Sequence, residues 1–172
     1  GILGIITKAS LMLMPKPLHS SVAMINLSSF SEVPGMLAAA KSELSEILSA
    51  FEFIDARSMR VLRECNVKLA SSELISIQVD KEGECGDGIS GNVVLLIEVS
   101  GSEESVSERL QTFMGRKLNL ENDSVLIASN KSQEREMWAM REQVPTCLMD
   151  LSRQHGGRLY KYDLSLTMPQ MH

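Results

Sequence analysis

From about residue 18 onward, short apolar runs alternate with longer stretches in which apolar residues recur every three or four positions. The runs predict strands, and the stretches predict helices packed by one face. Residues 21–27 (Ser-Val-Ala-Met-Ile-Asn-Leu) form the first such run. Ser29-Phe30-Ser31-Glu32 has capping-box form, with an acid three positions after a serine. A helix is predicted from there to about residue 48, with Val33, Leu37, Ala40, Leu44, Ile47 and Leu48 as its apolar set. Pro34 falls in its first turn, where proline is tolerated. Residues 50–54 (Ala-Phe-Glu-Phe-Ile) alternate with period two and predict a strand. Asp55 then caps a helix carrying Met59, Leu62 and Cys65 at spacings of three.

Residues 71–79 read as a ragged strand, and 80–91, rich in glycine and charge, as a loop. The order then repeats. Residues 92–99 (with Val-Val-Leu-Leu-Ile) predict a strong strand, and Ser102 opens a helix to about residue 118. Residues 124–128 predict a strand, Asn130 or Ser132 a long helix to about residue 153, and 158–166 a last strand. Two successive strand–helix–strand units predict an α+β fold: a ferredoxin-like antiparallel sheet with helices on one face. Ahead of it, residues 2–14 read as a buried strand that stops at Pro15-Lys16-Pro17, a domain boundary. This divides the chain into residues 1–17 and a domain over 18–172.

With 172 residues, 44% hydrophobic and 23% charged, the composition is that of a globular domain and excludes a disordered chain. Uninterrupted apolar runs stop at about six residues, against roughly 20 for a membrane span. A net charge of −5, with no basic stripe, argues against nucleic acid as a partner. Three cysteines, at 65, 85 and 147, form neither a CxxC pair nor a disulfide framework. The chain opens at Gly1 inside an apolar segment and closes at His172 directly after a predicted strand, so a piece of a longer protein is expected.

Candidate chemistry gathers in residues 138–166. On the long helix, Met137, Met140, Val144, Leu148 and Leu151 form a core stripe. Arg141 lies about 100° from that stripe, and Pro145 removes a helix hydrogen bond just past it. Taken alone, Arg141 reads as a surface arginine at the edge of a packed face. In the last strand Lys161, Asp163, Ser165 and Thr167 share the polar side, where Lys161 could converge with Arg141. Two cations at one cleft suit a carboxylate: arginine grips it bidentately and lysine adds a point charge. Gly1 and Gly4, joined to an apolar run, let backbone approach a ligand closely.

Other constellations carry less. Asp80, Glu82, Glu84 and Asp87 lack the ordered ligands of a calcium loop. His155-Gly156-Gly157 has no serine nucleophile elbow beside it. His19, His155 and His172 have no metal-site spacing, and the 11 methionines fall mostly on apolar faces.

Several segments, collinear over nearly the whole chain, carry a family resemblance. They are residues 1–17 (Gly-Ile-Leu-Gly-Ile-Ile-Thr-Lys-Ala-Ser-Leu-x-Leu-x-Pro-Lys-Pro), 47–55 (Ile-Leu-Ser-Ala-Phe-Glu-Phe-Ile-Asp) and 96–102 (Leu-Ile-Glu-Val-Ser-Gly-Ser). Two more follow at 137–142 (Met-Trp-Ala-Met-Arg-Glu) and 160–166 (Tyr-Lys-Tyr-Asp-Leu-Ser-Leu). Together they resemble the FAD-linked oxidases of the vanillyl-alcohol-oxidase type. The resemblance is to the branch of D-2-hydroxyglutarate dehydrogenases, with D-lactate dehydrogenases and glycolate oxidase subunits nearby. It makes residues 1–17 the end of an FAD-binding domain and linker, and 18–172 a substrate-binding cap domain truncated at its C-terminal end.

Such proteins oxidise a D-2-hydroxy acid to the 2-oxo acid, with hydride passing from C2 to the flavin. By resemblance, Arg141 clamps a substrate carboxylate and Lys161 supports it. A threonine four residues after the arginine contacts substrate in close relatives; here that position is Pro145, with Thr146 beside it. Gly1, Gly4 and Ile5 would lie on FAD through backbone. The upstream flavin loops would precede Gly1. The metal segment His-x-Gly-Asp-Gly-Asn-x-His, for a divalent ion such as zinc, would follow His172. The chain alone is therefore expected to bind neither FAD nor metal and to be inactive. The resemblance implies a mitochondrial location, with a cytoplasmic one as the alternative, and leaves the electron acceptor and the particular D-2-hydroxy acid open. A non-catalytic interaction module, after the actin-interacting label some relatives carry, is the alternative function. Exposed apolar surface would favour a homodimer.

Overall fold

The computed structural model describes residues 4–13, 15–65, 67, 93–117, 124–167 and 170. The predicted strand at 71–79 and loop at 80–91 lie outside them, as do Gly1, Cys85 and His172. Four strands form one sheet: β1 (His19–Leu27), β2 (Leu48–Ile54), β3 (Val93–Gly101) and β4 (Ser124–Ile127). The helices among the described residues are α1 (Val33–Glu43), α2 (Ala56–Glu64), α3 (Val106–Lys117) and α4 (Lys131–Gln154). The sheet order is β2-β3-β1-β4, and every pairing is antiparallel. Strands from the two halves of the chain interleave, as expected for a ferredoxin-like α+β fold.

The helices lie on both faces of the sheet, not on one. From β1, Ala23, Ile25 and Leu27 pack with Val33 and Ala40 of α1 and Leu110 and Phe113 of α3. Val22 and Met24 point the other way and pack with Met59 and Leu62 of α2 and Met137 and Met140 of α4. A strand covered on both sides has no solvent side to be polar, so its apolar residues run continuously. The Val-Val-Leu-Leu-Ile run of β3 carries that signal, and each of those residues is buried.

Local chemistry sets the helix ends. The Ser29 backbone N–H donates to Glu32 Oε1 at 3.0 Å, completing the capping box around a single 3-10 turn (Phe30–Glu32) before α1. Asp55 Oδ1 accepts from the Ser58 N–H at 2.7 Å to cap α2. Asn130 Oδ1 accepts from Ser132 and Gln133 at 2.9 and 3.0 Å to cap α4. Helix α1 ends at Glu43 rather than near residue 48. The chain tightens into a second 3-10 turn (Ser45–Ile47), and Leu48 already belongs to β2. Similarly, α3 begins at Val106, four residues after the expected cap at Ser102.

Two expected strands are absent from the sheet. Residues 4–13 have no regular structure, and Ile5, Ile6 and Met12 are almost fully exposed. Residues 157–167 likewise run without a ladder partner, with Tyr160, Tyr162 and Leu164 in solvent. Alternation marks strand propensity, but a strand exists only where its N–H and C=O groups meet a neighbouring edge. The chain leaves α4 at Gly156, whose φ of 67° ends the helix in the left-handed region.

Candidate functional site

Among the described residues, charge converges with the core at the end of the α2/α4 face. Residues 50, 52 and 54 of β2 stand opposite 98, 96 and 94 of β3. Ile54, Val94 and Leu96 fill that face with apolar side chains. The same face then turns acidic, with Glu52 on β2 and Glu98 on β3 as diagonal neighbours. Helix α4 lays Trp138 and Arg141 over them, three residues apart and so on one side of the helix.

Each acid takes one partner from α4. The Trp138 indole N–H donates to Glu98 Oε2 at 2.7 Å, and the Ser49 hydroxyl donates to Glu98 Oε1 at 3.1 Å. Arg141 donates through Nε to Glu52 Oε2. Both side chains of this ion pair are roughly one-third to two-fifths exposed, so the guanidinium sits at the water boundary. Among the described residues its terminal nitrogens Nη1 and Nη2 have no partner. That edge carries two parallel N–H donors, the geometry a carboxylate accepts bidentately. Pro145 has no N–H to donate to the Arg141 carbonyl, yet α4 runs through it as one helix.

The first turn of α4 is tied to β1 as well. Lys131 Nζ donates to the Ser20 carbonyl at 3.0 Å and to Glu134 at 2.9 Å. Deeper on the helix, Cys147 is buried beside Cys65 of the α2 end, whose thiol lies 3.8 Å from the Cys147 carbonyl. Burial first, then the adjacent Cys65, pushes the Cys147 thiol up to about 11, which keeps it protonated near neutral pH.

The other site residues expected from sequence lie apart. Thr146 is exposed on α4, about 140° around the helix from Arg141. Lys161 stands in solvent, its ammonium 4.0 Å from Asp163, in the segment that joins no sheet. Gly4 has φ 138°, a conformation that favours glycine, and open space where a side chain would project. Its backbone is bare to a flat ligand, but Ile5 beside it is 90% exposed. The described residues alone therefore do not enclose a flavin. Among them no group of three or more His, Cys, Asp or Glu could hold a metal ion. No described helix is long and apolar enough to cross a membrane. A cavity of about 220 Å³ on the opposite face, between Glu46 and Ser102, has its cation, Arg109, already paired with Glu46.

Glu52 and Glu98 are not among the site residues expected from sequence, although each leaves a signal there: an acid inside the alternating Ala-Phe-Glu-Phe-Ile, and another interrupting Val-Val-Leu-Leu-Ile-Glu-Val. Each is a charge on a buried face, which calls for a partner.

The structure is thus an antiparallel α+β domain with a partly exposed arginine held by an acid of its edge strand. The family model "FAD linked oxidases, C-terminal domain" matches residues 16–172, and the chain belongs to that family. It is 34% identical over 175 residues to the mitochondrial D-2-hydroxyglutarate dehydrogenase of Arabidopsis thaliana, covering 100% of this chain and 28% of the relative. It is 32% identical over 178 residues to the D-2-hydroxyglutarate–pyruvate transhydrogenase of Saccharomyces cerevisiae, covering 100% of this chain and 31% of the relative. Against the mitochondrial D-2-hydroxyglutarate dehydrogenase of Bos taurus the figures are 32% over 175 residues, 100% and 28%. The chain thus spans under a third of the length of these relatives.

Proposed function

We propose that the full-length protein carrying this chain is an FAD-dependent dehydrogenase that oxidises a D-2-hydroxy acid, D-2-hydroxyglutarate or D-lactate, to the 2-oxo acid. Residues 18–172 are its substrate-binding domain, and residues 1–17 the end of its FAD-binding domain and linker. Bound FAD would supply the two-electron acceptor, and this chain supplies recognition. The observation that carries the reading is Arg141, a partly exposed arginine that Glu52 holds through Nε, leaving two Nη groups of the kind suited to a carboxylate. Thr146 of α4 and Lys161 are secondary substrate contacts, Lys161 being brought in when residues 157–167 fold against a neighbouring surface. Gly1, Gly4 and Ile5 touch FAD by backbone in the whole protein. A divalent ion such as zinc belongs to the whole protein, outside this chain, and the chain alone is inactive. Membership of the FAD linked oxidases supports the flavin, and the names of the relatives support the substrate and a mitochondrial location.

The test is bleaching of the oxidised flavin band in the full-length protein. D-2-hydroxyglutarate, D-lactate and their L-enantiomers are added anaerobically in turn. Rapid bleaching by one D-acid and none by its L-enantiomer is expected. A flavin-loaded protein bleached by no D-acid would contradict the substrate class, and dye reduction by the isolated chain would contradict its inactivity.

A further inference from the structure

The Arg141–Glu52 pair can do more than neutralise a charge, because of which nitrogen it uses. A guanidinium has a side edge that includes Nε and an end edge formed by Nη1 and Nη2. Glu52 accepts from Nε, and among the described residues the end edge has no partner. The carboxylate is itself held in place. Its strand is hydrogen-bonded to β3, with Glu52 opposite Leu96. One turn earlier on α4, Trp138 is fixed on Glu98, which also accepts from Ser49 of β2. Helix and sheet are thus locked at two points, and Arg141 is the second.

We infer that Glu52 is a positioning residue: it orients the Arg141 guanidinium so that its Nη1 and Nη2 edge meets the carboxylate of a 2-hydroxy acid. The inference rests on the reading of Arg141 as the carboxylate clamp. An arginine without this support would sample many rotamers, and substrate binding would have to order it. Loss of Glu52 therefore weakens binding of ground state and transition state alike, which raises KM and leaves kcat nearly unchanged.

The test is steady-state kinetics of the full-length flavoprotein with the D-acid that bleaches its flavin. Each variant is purified with its flavin and checked for melting temperature. Glu52→Ala is expected to raise KM about tenfold or more with kcat within about threefold. Glu52→Gln keeps an oxygen of the same reach for Nε–H and is expected to hold KM within about threefold of wild type. Glu52→Asp keeps the charge but falls one methylene short, and its KM is expected to approach that of Glu52→Ala, even if the alanine variant does not fold. Arg141→Ala is expected to raise KM about 100-fold, and Glu52→Ala added to it to raise KM no further. A lower melting temperature with unchanged KM in the Asp and Ala variants would overturn the positioning role and leave a structural ion pair. Unchanged KM in Arg141→Ala would instead overturn the reading of the clamp itself.

Discussion

Asp55 illustrates a residue whose role follows from chemistry that is local in sequence. A short acidic side chain just before an apolar helical pattern can accept from the orphan N–H groups of the first turn, and Asp55 does so through Ser58. Asp55→Ala should cost about 1 kcal/mol of stability, measured by denaturant unfolding; a loss within error of zero would contradict the cap. Asn130 and the Ser29–Glu32 box were legible for the same reason. Arg141 was legible only in part. Its place at the edge of the core stripe follows from helical period, but its partner, 89 residues away on β2, does not. Such a pairing depends on which strand lies beneath the helix, and no local pattern encodes that.

At the level of elements, most of the helices and the four central strands follow from periodicity, and the failures share one cause. The predicted strands at 2–14 and 158–166 have the composition of strands, but residues 4–13 and 157–167 pair with no described strand. The expectation of helices on one face also failed, because the covering of each face is decided by long-range packing. The β3 run of five buried apolar residues was the available clue. Helix α4 meets the sheet through Trp138, the one tryptophan of the chain, which makes the contact observable. Glu98→Ala should shift tryptophan emission to the red and cost about 1.5–3 kcal/mol, the range for a hydrogen bond to a charged group. Unchanged emission and stability would mean that the indole bond does not hold α4 to the sheet.

A second helix contact responds to pH. Glu43 of α1 is held below its ordinary value of 4.5 chiefly by the hydrogen bond from Lys117 of α3. Glu46, just past α1, is held below it chiefly by Arg109. A depressed carboxylate adds stability that is full above the unfolded value and lost as pH falls through the folded one. The unfolding midpoint in urea should therefore fall below about pH 4.5, and Lys117→Ala should flatten that fall. A wild-type midpoint constant from pH 5 to 3 would contradict the assignment.

On the scale of the whole molecule, two extended apolar segments flank a well-covered sheet, and the arginine sits on the α2/α4 face between them in sequence. The fold class was readable from element order. The site was readable only as residue types, because residues 4–13 and 157–167 carry exposed side chains that no described element covers. The proposed function turns on Arg141 holding the substrate carboxylate in the full-length protein. The most direct measurement is the concentration dependence of flavin bleaching by the active D-acid, in wild type and in Arg141→Ala. An apparent Kd raised about 100-fold, or about 2.7 kcal/mol, is expected in the variant, within the range for breaking a charge-assisted contact. A variant that saturates at the wild-type concentration, with its flavin bound, would contradict it.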